Sequence, residues 1–415
     1  MNQAMPFSTL NLSSALTSQL PAHFNEPTDI QQQAIPVLLE GSDLLAIAQT
    51  GSGKTLAFGL PLIDNAFNRA IRTVDSIVIV PTRELANQVH DDLVTLSERL
   101  DVPLLLLTGG IDKEIQLAQL SKEPNIVIAT PGRLLDLIQS KDLAIDDVKQ
   151  VVLDEADRLL DMGFWPDIEA ILTTLPATKQ TAMFSATLAP QLSEHLNNQL
   201  KQPIQVQVNP ANQVVENVEE QLFLVNKGSK TKALIHKIKQ NNWSQVLVFI
   251  GAKENADGLR KKLQKAGIDC AALHGDKSQQ EREQALSNFK QQSIQVLIAT
   301  DILARGIHID RLPVVINFEL PSDPTAYVHR VGRTARSGQQ GLAISLVCHA
   351  ENSHLDSIRK VTNRPLLVQT LAEFPVTDKP SSGESKRAPR DKKANRRTNN
   401  KNSVKQFKKK PTRRT

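Results

Sequence analysis

The amino-acid sequence predicts an α/β protein with two tandem domains, each built on a parallel sheet, followed by a basic tail. Short runs rich in Val, Ile and Leu alternate with longer stretches of helical periodicity, which is typical of parallel sheets buried on both faces. This alternation pauses in a polar stretch near residues 201–219 and then begins again. Beyond Val376 apolar residues nearly vanish, which predicts the end of the globular part.

Six apolar runs predict the sheet of the first domain, residues 1–205. The predicted strands cover residues 44–48, 76–80, 103–107, 125–129, 150–153 and 181–184. Helical periodicity lies between them, for example over residues 56–70, 85–100 and 168–175. We predict a linker at residues 206–216, because this region is polar and contains Pro210.

Five further runs predict a second sheet within residues 217–375. The predicted strands cover residues 245–250, 270–273, 295–299, 314–317 and 342–347. The two halves show no close sequence repeat. A chain of 415 residues is long enough for each half to bury its own core.

The charge distribution is strongly asymmetric. Residues 385–415 contain 14 Lys and Arg but one acidic residue, Asp391, so this stretch carries +13. The remaining chain holds 35 basic and 43 acidic residues and therefore carries −8. We predict that residues 376–415 are disordered and that their charge attracts polyanions, most often nucleic acid.

Cysteine usage and hydropathy indicate the compartment. The two cysteines, Cys270 and Cys348, exclude a disulfide framework and fit a reducing environment. We find no secretory signal and no run of about 18 apolar residues. The histidines lack metal-ligand spacing. These observations predict a cytoplasmic protein without a membrane partner or a metal cluster.

A glycine-rich segment between the first predicted strand and the following helix is typical of a phosphate-binding loop. Its sequence is AQTGSGKT, and its members are Ala48, Gln49, Thr50, Gly51, Ser52, Gly53, Lys54 and Thr55. Glycine, which lacks a Cβ, lets backbone N–H groups wrap around phosphates. We predict that Lys54 reaches the β- and γ-phosphates and that the Thr55 hydroxyl binds Mg²⁺.

Two carboxylates follow the strand predicted at residues 150–153. Asp154 and Glu155 would then lie at the carboxyl end of a parallel strand, where α/β sheets bind ligands. We predict that Asp154 holds Mg²⁺ and that Glu155 orients or deprotonates the attacking water. An acidic loop alone is more often solvated surface, but its pairing with a phosphate loop favours the functional interpretation.

The sequence DEAD at residues 154–157, behind AQTGSGKT, resembles the DEAD-box ATP-dependent RNA helicases of superfamily 2. Other segments resemble the family's motifs in the family's order. They are PTDIQ at 27–31, PTRELA at 81–86, GG at 109–110, TPGR at 130–133, SAT at 185–187, ATD at 299–301, ARG at 304–306 and HRVGRTAR at 329–336. The resemblance implies two RecA-like domains joined by a short hinge. NFELP at 317–321 and LVC at 346–348 are most like the bacterial RhlE-type branch.

The resemblance implies ATP and Mg²⁺ as cofactors and extends the catalytic set. Gln31 and Thr28 are expected at the adenine, where an amide can both donate and accept, and Phe24 is expected to stack on the base. Core packing is an equally good interpretation of Phe24. Arg333 and Arg336 are expected to reach the γ-phosphate from the second domain, as arginine fingers do.

Coupling residues are also implied by the resemblance. They are Asp157, Ser185, Thr187 and Arg330. We expect the two hydroxyls to bridge Asp157 and the 329–336 segment, although capping of the next helix is an alternative. Arg330 is expected to pair with first-domain carboxylates such as Asp157 when the domains close.

The resemblance further implies RNA as the partner, bound through its backbone. The expected RNA-binding residues are Thr82, Arg83, Gly109, Gly110, Thr130, Arg133 and Thr300. Hydroxyl and guanidinium groups suit phosphates, and an aromatic content of 4% argues against stacking platforms. His274, Gly275 and Asp276, together with Gln279 and Arg282, resemble a further RNA-facing motif, although a turn followed by a helix start is an equally good interpretation. We expect the basic tail to tether RNA, with ribosomal and messenger ribonucleoprotein both open as substrates.

Two departures from the family pattern affect the predicted coupling. His308 stands where the pattern RGxD has Asp, and Ala335 replaces Gly between the two arginines. We expect weaker coupling of RNA to turnover from His308. Three alternatives to an RNA helicase stay open. They are an ATP-gated RNA clamp with slow turnover, a DNA helicase, and an annealing chaperone driven by the tail.

Overall fold

The computed structural model describes residues 6–21, 24, 26–49, 51–69, 72–188, 190–208, 218–301, 312–334 and 340–379. Several sequence-based predictions fall outside these residues. They concern Thr50, the ARG segment at 304–306, His308, Ala335, Arg336, residues 209–216 of the predicted linker, and the tail from residue 380.

The described residues form two sheets, each with seven parallel strands. The first has the order β3-β4-β2-β5-β6-β1-β7. Its strands are β1 (Leu44–Ala48), β2 (Ser76–Ile79), β3 (Leu104–Leu107), β4 (Ile126–Ala129), β5 (Gln150–Leu153), β6 (Gln180–Ser185) and β7 (Ile204–Val208). Its inner strands are buried along their whole length, so the prediction of a parallel sheet covered on both faces is confirmed.

Helices connect these strands. They are α1 (Ser14–Thr17), α2 (Asp29–Leu39), α3 (Lys54–Arg69), α4 (Arg83–Arg99), α5 (Lys113–Leu120), α6 (Pro131–Gln139), α7 (Ala156–Asp161), α8 (Trp165–Thr174) and α9 (Pro190–Gln199). Strand β1 shows how they cover the sheet. Leu44 and Ala46 pack into the hydrophobic cluster on one face, and Leu45 and Ile47 pack into the cluster on the other.

The second sheet has the order β10-β11-β9-β12-β13-β8-β14. Its strands are β8 (Val218–Leu224), β9 (Val246–Phe249), β10 (Cys270–Leu273), β11 (Val296–Ala299), β12 (Val314–Asn317), β13 (Gly341–Val347) and β14 (Val368–Thr370). The helices described around it are α10 (Lys230–Asn241), α11 (Lys253–Lys265), α12 (Gln279–Lys290), α13 (Pro324–Val331) and α14 (Asn352–Thr362). No described helix is long and apolar enough to cross a membrane.

Three strands were not predicted, and one of them corrects the predicted linker. Strand β7 pairs with β1, with Val206 opposite Ala46. The first sheet therefore continues past residue 205, and Val206–Val208 belong to it instead of to the linker. Strands β7, β8 and β14 lack the continuous apolar run of a fully buried strand, since each has exposed or half-exposed residues. This is why their polar residues resembled connecting segments.

The buried carboxylate of Asp43, at the start of β1, accepts hydrogen bonds from the last part of the first domain. Asp43 is 7% exposed. Its Oδ1 accepts a hydrogen bond from Thr181 N at 2.8 Å, and its Oδ2 accepts one from Lys201 N at 2.7 Å. One side chain thus holds both β6 and the approach to β7.

We expect Asp43→Ala to lower the free energy of unfolding of the first domain by about 1–3 kcal/mol, because a buried N–H loses its acceptor. Chemical denaturation measures the change, and Glu40→Ala, at an exposed neighbour, is the matched control. Equal stability of the two variants would contradict this role of Asp43.

Candidate nucleotide and nucleic-acid site

The strand order divides the carboxyl edge of the first sheet into two neighbouring halves. Strands β5, β6 and β1 lie side by side and lead into Asp154, Ala186 and the phosphate loop. Strands β3, β4 and β2 also lie side by side and lead into Thr108, Thr130 and Val80. Among the first-domain residues that follow these strands, those predicted to bind nucleotide therefore lie on one half, and those predicted to bind RNA lie on the other.

The phosphate loop joins β1 directly to α3, as the sequence predicts. Gly51 and Gly53 have φ values of +80° and +96°, which favour glycine. Lys54 is the first residue of α3 and is 7% exposed, and its Nζ donates to Ala48 O at 3.1 Å. The ammonium group is thus held across the mouth of the loop, and half-buried Thr55 follows it.

Gln31 joins the start of α2 to the phosphate loop. Its Nε2 donates to Gly53 O at 3.0 Å, and its Oε1 accepts from Thr28 N at 2.9 Å. A Cβ on Gly53 would lie 2.5 Å from Gln31 Nε2, so this position requires glycine. The amide retains one N–H and one lone pair beyond these two bonds. Phe24 packs against the core of the first domain, in agreement with the core-packing alternative.

The carboxylates after β5 lie in a buried, charged environment. Asp154 is 3% exposed, and burial raises the pKa of its carboxyl to about 6, although the Lys54 charge acts in the opposite direction. Glu155 has the left-handed φ of +52° and is 8% exposed. Its Oε2 pairs with Arg158 Nη1 at 2.8 Å. Sequence analysis missed this arginine, which stands one turn after Glu155 on α7.

The predicted bridge between the carboxylate loop and the segment after β6 is partly present. Thr187 donates to Asp157 Oδ2 from its N at 3.1 Å and from its Oγ1 at 2.9 Å. Ser185 Oγ accepts from Asp157 N at 3.3 Å and donates to Thr187 O at 2.7 Å. These bonds tie the two loops together within the first domain.

Arg330 has different partners from the one expected. Its guanidinium binds Asp301 through Nε at 2.6 Å and Nη2 at 2.7 Å, and Nη1 donates to Asn317 Oδ1 and to Glu319 O. The residue is 1% exposed. In this structure Arg330 therefore pairs within the second domain, and its pairing with Asp157 on domain closure stays a prediction. Arg333 is also buried, at 3% exposure.

The predicted RNA residues of the first domain surround a turn of two glycines. The Arg83 guanidinium packs against Gly109 and Gly110 so closely that a Cβ on Gly110, at φ +82°, would collide with it. Arg133 Nη1 donates to Gln116 Oε1 at 2.5 Å, and Arg133 Nη2 donates to Ile111 O at 3.1 Å. The glycines thus allow a guanidinium to lie on the backbone.

The three threonines predicted to bind RNA each follow a strand. Thr82 is the N-cap of α4, where its Oγ1 accepts from Leu85 N at 3.3 Å, and Thr130 is the N-cap of α6. Thr300 follows β11 in the second domain and is 8% exposed. All three therefore lie at the carboxyl ends of strands.

A salt bridge joins the second domain to the half of the first domain that is predicted to bind RNA. Arg282 Nη1, on α12, lies 2.8 Å from Glu84 Oε1, on α4. The pKa of Arg83 is lowered by burial and then by the like charge of Arg282, while Glu84 raises it and Arg133 lowers it further. Arg83 thus lies close enough to both Arg282 and Arg133 for their like charges to act on it, with the Glu84 carboxylate beside it.

Two family models match the chain. The model described as DEAD/DEAH box helicase matches residues 28–195, and the model described as helicase conserved C-terminal domain matches residues 229–338. Each matched segment lies within one of the two sheet domains.

Curated relatives are similar over most of the chain. The DEAD-box ATP-dependent RNA helicase CshA of Bacillus cereus is 38% identical over 381 residues, covering 92% of this chain and 72% of that protein. The Bacillus subtilis protein of the same name is 38% identical over 361 residues, covering 87% and 73%. The RhlE-type branch stays a prediction.

Solved structures are similar to both domains. S. cerevisiae Dbp5 bound to RNA and ADP BeF3 has a TM-score of 0.79 at 29% identity, covering 89% of this chain and 96% of that one. Mss116p bound to ssRNA and AMP-PNP also has a TM-score of 0.79, at 27% identity, covering 89% and 80%. The predicted pair of RecA-like domains is confirmed. The chain belongs to the DEAD/DEAH box helicases and is a DEAD-box ATP-dependent RNA helicase.

Proposed function

We propose that ATP binds on the β5-β6-β1 half of the first sheet edge and RNA on the β3-β4-β2 half, so that one rigid sheet links both ligands. The observation that carries this proposal is the strand order, which separates the two residue sets without an intervening strand. Hydrogen bonds from Gln31 to Gly53 and from Thr187 to Asp157 hold the nucleotide half. The Arg282–Glu84 salt bridge connects the RNA half to the second domain. Closure of the second domain over this edge completes the site and strains a short RNA duplex locally.

In the nucleotide half, each residue is given a separate task. Lys54 leaves the Ala48 carbonyl to bind the β- and γ-phosphates, because a phosphate is the stronger acceptor for an ammonium group. Gln31 positions the loop through Gly53 and offers its remaining N–H and lone pair to adenine. Glu155 orients the attacking water and accepts its proton. Arg333 and Arg336 stabilise the charge that develops on the γ-phosphate.

The residues present fit a magnesium ion beside the nucleotide. Mg²⁺ usually keeps several waters and binds one or two protein oxygens together with substrate phosphates. Asp154 and Thr55 supply such oxygens. Among the described residues no group of three or more His, Cys, Asp or Glu side chains could hold a metal ion by itself, so the phosphates would have to complete the site. The buried Asp154 carboxylate favours a nearby cation because burial makes its negative charge costly. The ion would neutralise phosphate charge during hydrolysis.

The RNA half is proposed to bind phosphates of the backbone. Arg282 and Arg133 each repel Arg83, and an RNA phosphate beside Arg83 relieves this repulsion. Thr82 and Thr130 add hydroxyls, and the Arg282–Glu84 pair brings the second domain to the same strand of RNA. These contacts carry no base information, so binding is independent of sequence.

The basic C-terminal stretch is proposed to tether RNA by charge. Its 14 Lys and Arg residues favour release of counterions from the RNA, which makes this contribution sensitive to salt. Ribosomal or messenger ribonucleoprotein is the proposed substrate. The two buried, unpaired cysteines support a reducing compartment, and we propose the cytoplasm.

We expect Glu155→Gln to abolish RNA-stimulated ATP hydrolysis while ATP-dependent RNA binding remains, because an amide cannot accept the proton of water. Steady-state hydrolysis is measured without nucleic acid, with single-stranded RNA and with single-stranded DNA, and RNA affinity is measured with and without ATP. Glu98→Gln, at an exposed position of α4, is the control. Retained turnover in Glu155→Gln would exclude this role, and equal stimulation by DNA would exclude selectivity for RNA.

We expect Arg83→Gln to weaken RNA binding to a similar degree for all sequences and to reduce the salt slope of log affinity by about 1. The reason is the loss of one cation that neutralises a phosphate. Titrations at several salt concentrations measure the slope, with Arg72→Gln, at an exposed ion pair with Asp101, as the control. An unchanged slope would remove Arg83 from the RNA site.

We expect Asp154→Asn to stabilise the protein free of nucleotide and metal at pH 7.5 by on the order of 3 kcal/mol, although hydrolysis is lost. Burial raises the pKa of this carboxyl from 3.8 to about 6, so the folded state bears the cost of its charge above pH 6. That cost declines as pH falls through 6 towards 4, where the two proteins become equally stable. Thermal unfolding across this range tests it, with exposed Asp146→Asn as the control; a constant difference would contradict the raised pKa.

A further inference from the structure

The two sheets have corresponding strand orders, although their sequences show no close repeat. Reading each order from its first strand, β8 takes the place of β1, β12 takes that of β5, and β13 takes that of β6. The loop after β8 therefore occupies the position that the phosphate loop has in the first sheet. The loops after β12 and β13 occupy the positions of the carboxylate loop and of the Ser185 segment.

The loop after β8 ends in a buried lysine, as the phosphate loop does. It runs through a short 3₁₀ helix, Lys227–Ser229, into α10, whose first residue is Lys230. Lys230 thus has the place of Lys54, the first residue of α3. Both side chains are buried, with exposures of 3% for Lys230 and 7% for Lys54.

An internal carboxylate pairs with Lys230. Glu351 Oε2 lies 2.5 Å from Lys230 Nζ and accepts from Cys348 N at 2.9 Å, while Oε1 accepts from Leu320 N at 3.0 Å. The donors come from the three segments that follow β8, β13 and β12. One ammonium group and two backbone N–H groups thus converge on one carboxylate that is 9% exposed as a residue.

We propose that the second domain retains the anion position of a phosphate loop and fills it with its own carboxylate, that of Glu351. A buried lysine without an anion is strongly unfavourable, so the carboxylate is required once no phosphate binds there. Removing it would leave Lys230 and two N–H donors facing an empty position. A small oxyanion, such as formate, acetate or phosphate, is the class of ligand that this position would then bind.

The position has an access route from solvent. A cavity of about 650 Å³ lies beside it, and Lys230 and Glu351 are among the lining residues. Two further lysines, Lys227 and Lys262, line the same cavity and are exposed. Glu254, Asp301 and Glu319 also line the cavity, so it gives access to the position without a net charge that attracts anions.

Glu351 also positions the arginine helix, α13. It holds Leu320 directly, and Lys230 Nζ donates to Phe318 O at 2.9 Å. Between these two residues, Glu319 O accepts from Arg330 Nη1 at 2.6 Å. Arg330 lies on α13, which leads into Arg333, so a loose segment at 318–320 displaces both arginines. This consequence for turnover rests on the proposed function, whereas the anion position itself does not.

The experiment compares thermal unfolding of the full chain and its Glu351→Ala variant, without ATP or RNA, in sodium chloride and in sodium formate of equal ionic strength. We expect Glu351→Ala to lose about 5 °C or more in Tm, and formate to restore at least about half of that loss. Formate should leave the wild-type Tm within about 1 °C of its value in chloride. Equal formate responses in both proteins, or an unchanged Tm in Glu351→Ala, would overturn the proposal.

Two further variants separate an anion position from a general loss of packing. Lys230→Met combined with Glu351→Ala should lose the formate response, because the cation is gone. Glu254→Ala, at an exposed residue that lines the same cavity, should keep the wild-type Tm and show no response. If Glu351→Ala does not fold, the stability of Glu351→Gln tests the proposal instead. Its amide places a donor against Lys230 or an N–H group, and wild-type stability in that variant would overturn the proposal.

Turnover gives a second readout. In Glu351→Ala we expect the RNA-stimulated kcat to fall about tenfold or more while KM for ATP stays within about twofold, because ATP binds to the first domain. Formate should recover part of kcat. A formate effect on Tm without any effect on kcat would retain the anion position and exclude its positioning of α13.

Discussion

All strands within each sheet run in the same direction, and the rest of the molecule depends on this constraint. Parallel strands deliver every following loop to one edge, so residues distant in sequence meet there. Lys54 and Asp154 are separated by a hundred positions but follow neighbouring parts of one sheet. Burial on both faces keeps this edge rigid, because the apolar residues of the inner strands pack into one of two hydrophobic clusters. Ligand groups are therefore held in place by the core and not by the loops alone.

The cost of burying charge explains much of the site's chemistry. Asp154 bears its charge at a raised pKa, Glu155 is neutralised by Arg158, and Arg330 is neutralised by Asp301. Glu155 and Arg330 are thus already compensated by buried partners, whereas Asp154 keeps an unfavourable buried charge. A cation near Asp154 would complete its compensation.

The second sheet shows the same constraint with different residues. Its strand order repeats that of the first, and Lys230 recurs at the start of the corresponding helix. Glu351 supplies the negative charge that a nucleotide supplies to the first domain. A lysine buried at that point needs an anion in either domain, and only the source of the anion differs. The two domains can therefore share an architecture while, as we propose, one binds ATP and the other contributes arginines.

The amino-acid sequence by itself determined the α/β class, the inner strands, the phosphate loop and the motif residues. These features are local: a buried parallel strand is a continuous apolar run, and a phosphate loop is a contiguous segment with a fixed spacing. Sequence reasoning did not find β7, β8 and β14, whose partly exposed residues give no apolar run. It also did not find the pairs Arg158–Glu155 and Lys230–Glu351, and it gave Arg330 a different partner. Only the tertiary structure decided these contacts, because a buried charge pairs with whichever opposite charge the packed strands bring nearest, irrespective of their distance along the chain.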